Sequence, residues 1–282
     1  MLFLFDTSVV NRLHDDRDSE AIVVGLAATN TIRVSGLNVL EVARTPDRAR
    51  RAALLRLLKL MTRDERPLEF PNALARRVMS AFAAQSPTLN CSIDGETGVL
   101  WDMLVDPELV DDEARAELDA WHGSLETEFR VGHERARPEF QRLFQGGVVA
   151  PRRAPALLRA YMARPAFLLD VVNPLYRRET GSDLSSNELE VLLRGSPEVS
   201  GFLLGWAHSV HQRALAREGF GAKNAGIVDL WFAAYLGRVD RFITNDEKQY
   251  RALRLIARIV APGCEVMRYD RFRRRLIGRI SP

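Results

Sequence analysis

The sequence predicts an α/β protein whose parallel-sheet domain is split by a large all-helical insertion. Three observations predict it. The first 45 residues alternate short apolar runs with helix signals, residues 46–222 lose the strand signal almost entirely, and the alternation returns from residue 223.

Leu2–Phe5 is an apolar run stopped by Asp6-Thr7-Ser8, a strand meeting a helix start. Glu20–Ala28 reads as a helix, Thr31–Val34 as a second strand and Leu37–Ala43 as the helix that follows it. Helical stretches then run over 47–62, 72–85, 96–104, 111–145, 154–163, 186–194 and 198–217. Breaks are expected near Pro67, Pro87, Pro107, Gly146-Gly147, Pro165, Pro174 and Pro197. A helix over 226–237, a strand at Arg241–Thr244, a helix over 246–259 and a strand at Cys264–Arg268 complete the chain. Neither terminal piece has enough strands to close a core. Residues 1–45 and 223–282 are therefore expected to form one domain, with 46–222 inserted into it.

With 282 residues, 46% hydrophobic and 27% charged, the chain can bury a substantial core, and the composition excludes a disordered or collagen-like class. Its apolar runs are too short to span a bilayer, so no membrane is expected. MLFLF has neither a basic leader nor a small-residue cleavage site, and the two cysteines, Cys91 and Cys264, make no disulfide framework or metal cluster. A reducing cytoplasm is the expected compartment. Charge is uneven along the chain: residues 223–282 hold 13 basic and 6 acidic side chains, whereas 94–139 hold 14 acids against 4 arginines. Such asymmetry suggests a polyanion-facing end and an acidic region elsewhere, with solvated helix faces as the alternative. Arg271, Arg273, Arg274 and Arg275, interleaved with Tyr269 and Phe272, form a candidate single-strand contact surface or a solvated terminal helix.

Four acids sit where an acid is expensive. Asp6 ends the strand LFLF, Glu41 lies inside LNVLEVA, Asp229 interrupts the apolar run GIVDLWFAAYL, and Asp246 follows the strand ending in Thr244-Asn245. Helix capping is the alternative role for Asp6 and Asp246, and a solvent face for Glu41. If the four converge, their repulsion must be neutralised, and an oxygen-rich site without Cys or His suits Mg²⁺ or Mn²⁺. Such sites serve phosphoryl transfer. His208 and His211 share a helical face without a third ligand, and no phosphate loop, nucleophile elbow or H-E-x-x-H motif is present.

The segments LFLFDTSVVNRL (2–13), SGLNVLEVART (35–45), DLWFAAYL (229–236) and RFITNDEKQYRAL (241–253) together resemble the PIN-domain nucleases, especially the VapC-type toxin ribonucleases. The resemblance covers under half the chain and departs from the family in the 187 residues between the second and third acids. It implies a Mg²⁺/Mn²⁺-dependent endoribonuclease, of toxin or defence type, with Asp6, Glu41, Asp229 and Asp246 as metal ligands. It further implies that Thr7, Ser8, Thr244 and Asn245 hold bound water or phosphate. The implied partners are RNA, an antitoxin or other protein regulator, and a second copy in a homodimer. A PIN-like scaffold that binds RNA or protein without cleaving, and a DNA-directed nuclease, stand as alternatives.

Overall fold

The structure, a computed structural model, describes residues 1–63, 66–86, 95–145, 154–212 and 227–280. Cys91, the breaks expected near Pro87 and Gly146-Gly147, helix residues 213–217 and the junction at 222 lie outside the described residues. The chain is mostly helical around a small all-parallel sheet. It opens with β1 (Leu2–Phe5), α1 (Thr7–His14), α2 (Ser19–Thr29), β2 (Thr31–Arg33) and α3 (Gly36–Ala43). The helical stretch follows: α4 (Arg48–Thr62), α5 (Pro71–Ala83), α6 (Gly95–Val105), a short 3₁₀ turn, α7 (Asp112–Gln145), α8 (Ala154–Met162), α9 (Pro165–Thr180), α10 (Ser186–Gly195) and α11 (Pro197–Val210). Then come α12 (Ile227–Trp231), a 3₁₀ segment (Phe232–Arg238), β3 (Arg241–Thr244), α13 (Glu247–Val260), β4 (Glu265–Arg268) and α14 (Tyr269–Ile280). Among the described residues no helix is long and apolar enough to cross a membrane.

The strand order is β2-β1-β3-β4, with Phe3 beside Ile32 and Arg241, and Phe242 beside Val266. Helices cover both faces. Phe3, Phe5, Ile243 and Met267 pack with Val23 and Leu26 of α2 and Phe272 of α14, while Leu4, Phe242 and Val266 turn to the other face. Burial on both sides is why these strands read as continuous apolar runs instead of alternating ones.

Residues 46–222 do not keep a core to themselves. Leu54, Leu55 and Leu58 of α4 and Val199, Leu203 and Leu204 of α11 join the cluster that holds Leu4 and Phe242. Arg51 of α4, fully buried, donates to the carbonyls of Thr45 (2.7 Å) and Val110 (3.0 Å) and to Asp112 (3.1 Å), tying α3, α4 and α7 together. α11 lies backbone to backbone against the segment after residue 227: a Cβ at Gly201 would sit 2.1 Å from the Ala233 carbonyl oxygen, and one at Gly205 2.4 Å from that of Leu230.

Two elements depart from the sequence reading, and a third takes one of the alternatives it left open. The break expected at Pro174 is absent, because α9 runs through it. Pro174 leaves the Asp170 carbonyl without its helical donor, but both residues are on the exposed face, and Leu168, Val172 and Tyr176 are buried opposite. The helix expected over 226–237 is α-helical only to Trp231 and then tightens to 3₁₀. The arginine-rich tail is a helix packed on the sheet, with Phe272 edge-on to Phe5 at 5.4 Å.

Candidate active site

In an open parallel sheet, the crevice at the carboxyl ends of strands lies where the strand order reverses, here between β1 and β3. Asp6 stands at that point. It is 3% exposed and caps α1. One carboxylate oxygen accepts from the backbone N–H groups of Ser8 and Val9, and the other from the hydroxyls of Ser8 (3.0 Å) and Thr244. Burial pushes its pKa up to about 6, the Thr244 and Ser8 hydroxyls oppose that rise, and the charge of Asp229 adds to it.

Glu41 reaches the same place from α3. Burial pushes it up to about 8 against the hydrogen bond from Thr7, with the charges of Asp229 and Asp6 raising it further. Asp229, partly buried on α12, supplies the third charge, and its backbone carbonyl accepts from the side chain of Gln249 at 3.0 Å. Segments 35 and 188 residues apart in sequence thus meet as one electrostatic unit. Asp246 is placed differently. It is exposed at the end of β3 and caps α13, accepting from the Gln249 N–H at 2.6 Å.

The polar residues around the acids serve the acids themselves. The Asn245 N–H donates to the Ser8 hydroxyl and the Asp246 N–H to that of Thr244, both at 3.0 Å. Arg44, one turn beyond Glu41, is engaged by Asp119 of α7 at 2.7 Å. Three acids of the acidic stretch pair in this way with arginines at the end of α3 and in α4: Asp119 with Arg44, Asp112 with Arg51, and Glu108 with Arg56 and Arg48. The tail arginines are occupied too. Arg273 binds Asp16 (2.6 Å) and Asp18 (2.9 Å), Arg275 and Arg271 approach Glu265 (3.0 and 3.6 Å), and Arg274 donates to the Asp270 carbonyl. His208 and His211 are buried, His208 pushed down to about 4, and burial drives the Cys264 thiol up to about 12, far from a thiolate nucleophile.

The donor chemistry fits a hard divalent cation: all oxygen, with two acids raised by burial and mutual charge. As the side chains lie, no group of three or more His, Cys, Asp or Glu among the described residues is close enough to hold an ion. Asp6 already accepts four hydrogen bonds, so a cation on it would displace a hydroxyl, since the backbone donors are fixed.

Two residues escape the sequence reading. Asn38, fully buried, joins α3 to the end of β1 and to Thr7, and Gln249 joins α13 to α12. Ser35-x-x-Asn38 carries a capping signal in the sequence, and the capping box is formed. The reach of both residues across elements has no sequence signature. Compared with family models, curated proteins and solved structures, the chain matches none.

Proposed function

We propose that the chain is a PIN-like, metal-dependent endoribonuclease that hydrolyses RNA phosphodiester bonds at the carboxyl ends of β1 and β3. The observation that carries this reading is the electrostatic coupling of Asp6, Glu41 and Asp229 at the switch point, where burial and mutual charge raise Asp6 and Glu41. Asp6, Glu41 and Asp229 would hold Mg²⁺ or Mn²⁺, with Asp246 at the rim. A divalent ion there neutralises the carboxylates and lowers the pKa of bound water. The chain's own residues orient the acids: Ser8 and Thr244 fix Asp6, and Gln249 fixes the backbone that carries Asp229.

A non-cleaving scaffold is the second reading. It is favoured by the four hydrogen bonds already made to Asp6, which suit a structural cap. The experiment that separates the two is Mn²⁺-dependent cleavage of mixed RNA and DNA by wild type, Asp6→Asn and Asp229→Asn. The nuclease reading expects RNA cleavage that EDTA abolishes and that both variants lose while remaining folded. Full activity in both variants, or activity in excess EDTA, refutes it.

A further inference from the structure

We propose that the open edge of β4 is a docking site for an extended, acidic segment of a partner protein, which joins the sheet as a further strand. The inference is independent of the nuclease reading. β4 stands at one end of the strand order and pairs only with β3 among the described residues. In a parallel ladder the N–H and C=O of one residue face the same neighbour, and those of the next residue face the other way. The Glu265 N–H bonds the Asp240 carbonyl at 2.9 Å, so Glu265 and Met267 face β3. Val266 between them turns its N–H and C=O outward, flanked by the Cys264 carbonyl and the Arg268 N–H. Such a row is a template for another strand.

The edge opens into a cleft of about 310 Å³, lined by Cys264, Glu265 and Val266 and walled by arginines on two sides. Arg254 and Arg258 come from α13, which packs on the face of the sheet holding Phe242 and Val266. Arg271 comes from α14, which packs through Phe272 on the face holding Ile243 and Met267. All three arginines are exposed. Arg254 lies over the Tyr250 ring and donates to its hydroxyl at 3.1 Å, and neither it nor Arg258 is paired with an acid among the described residues. Glu265, the acid in the lining, is shared by Arg241 (3.5 Å), Arg271 (3.6 Å) and Arg275 (3.0 Å), one carboxylate among three guanidinium groups.

Side chains of an added strand alternate between the two faces of the sheet. On one face they meet Arg254 and Arg258, on the other Arg271, so acids at successive positions suit the cleft and basic residues are repelled. A second copy of this chain brings the same cations to its own β4. A nucleic acid has no amides to pair with a strand edge, and the cleft lies at the amino end of β4, opposite the end of the sheet where Asp6 stands. A peptide strand uses both features of the edge, main-chain bonds for affinity and alternate side chains for specificity.

The test measures binding of a fluorescein-labelled eight-residue peptide of glutamate and valine to the full chain, by fluorescence anisotropy in EDTA. Two further peptides carry N-methyl groups at alternate residues, one on the odd positions and one on the even, so that each loses the donors along one edge. The expected result is binding that weakens with salt, that one N-methyl pattern reduces about ten-fold, and that the other leaves within about two-fold. The peptide with lysine in place of glutamate should not bind. Arg254→Ala, Arg258→Ala and Arg271→Ala together, with folding checked by thermal unfolding, should weaken binding about five-fold. Equal binding of the two N-methyl peptides shows attraction by charge without strand pairing and overturns the inference, as does wild-type affinity in the folded triple variant. Displacement of the peptide by octauridylate at equal concentration marks a nucleic-acid surface and overturns it too. Absence of binding by the parent peptide at low salt also overturns it, and leaves the arginines as guards that keep the edge unpaired.

Discussion

Replacing Glu41 with glutamine should make the protein more stable at alkaline pH, and the size of the effect follows from its surroundings. In the unfolded chain this carboxyl ionises near 4.5, whereas burial and the charges of Asp229 and Asp6 hold its folded pKa at about 8. Between those values the folded state binds more protons than the unfolded state, so stability is greatest below about pH 4.5 and falls as pH rises through about 8. Each pH unit of that window is worth about 1.4 kcal/mol, a ceiling near 5 kcal/mol. Glu41 keeps some exposure, and water screening brings the expected effect to about 2–3 kcal/mol. A glutamine side chain has the same shape, keeps one amide oxygen as an acceptor and never ionises. Urea unfolding in EDTA from pH 5 to 8.5 should show wild type losing stability as pH rises. Glu41→Gln should show a flatter profile and exceed wild type by about 2–3 kcal/mol at the alkaline end. Parallel profiles for the two proteins would refute the assignment of that proton to Glu41.

Gly205→Ala places a Cβ 2.4 Å from the Leu230 carbonyl oxygen, so α11 and α12 must part; a loss of about 1–3 kcal/mol is expected in thermal unfolding, and an unchanged midpoint would show that the contact is slack. The bond from Arg273 holds Asp16 down at about 2 against 3.8, so this pair contributes stability above about pH 4 that fades as pH falls toward 2. Arg273→Ala should lose that contribution, flattening the acid limb of an unfolding profile, and an unaltered limb would refute the pairing. Because the tail arginines are engaged within the chain, alanine at Arg271, Arg273, Arg274 and Arg275 together should change the slope of log K against log salt for single-stranded RNA by less than about 0.7. A fall of about 0.7 for each arginine would show that these pairs open to phosphate.

Local chemistry is what the sequence carried well. LFLF stopped by Asp6-Thr7-Ser8 already specified a buried strand and a capped helix, and the same grammar marked Thr244-Asn245-Asp246. An acid set among large apolar neighbours marked Glu41 and Asp229 as expensive, whatever their use. Pro174 misled because a proline breaks a helix only where its lost hydrogen bond cannot be replaced, and an exposed helical face replaces it with water. Tertiary structure decided everything that depends on distance in space. It made Asp246 an exposed cap while bringing Asp6, Glu41 and Asp229 within electrostatic reach of one another, and it paired Arg273 of the +7 tail with Asp16 and Asp119 of the acidic stretch with Arg44. It also gave Asn38 its reach. A capping signal four residues long announces that Ser35 and Asn38 bond each other, but the second half of that amide meets Phe5 and Thr7 only because parallel pairing sets β2 beside β1, and so the start of α3 against the end of β1. Hydrogen bonds between neighbours in sequence are fixed by residue type and spacing. Those across 30 residues or more depend on strand register, which the whole core sets at once.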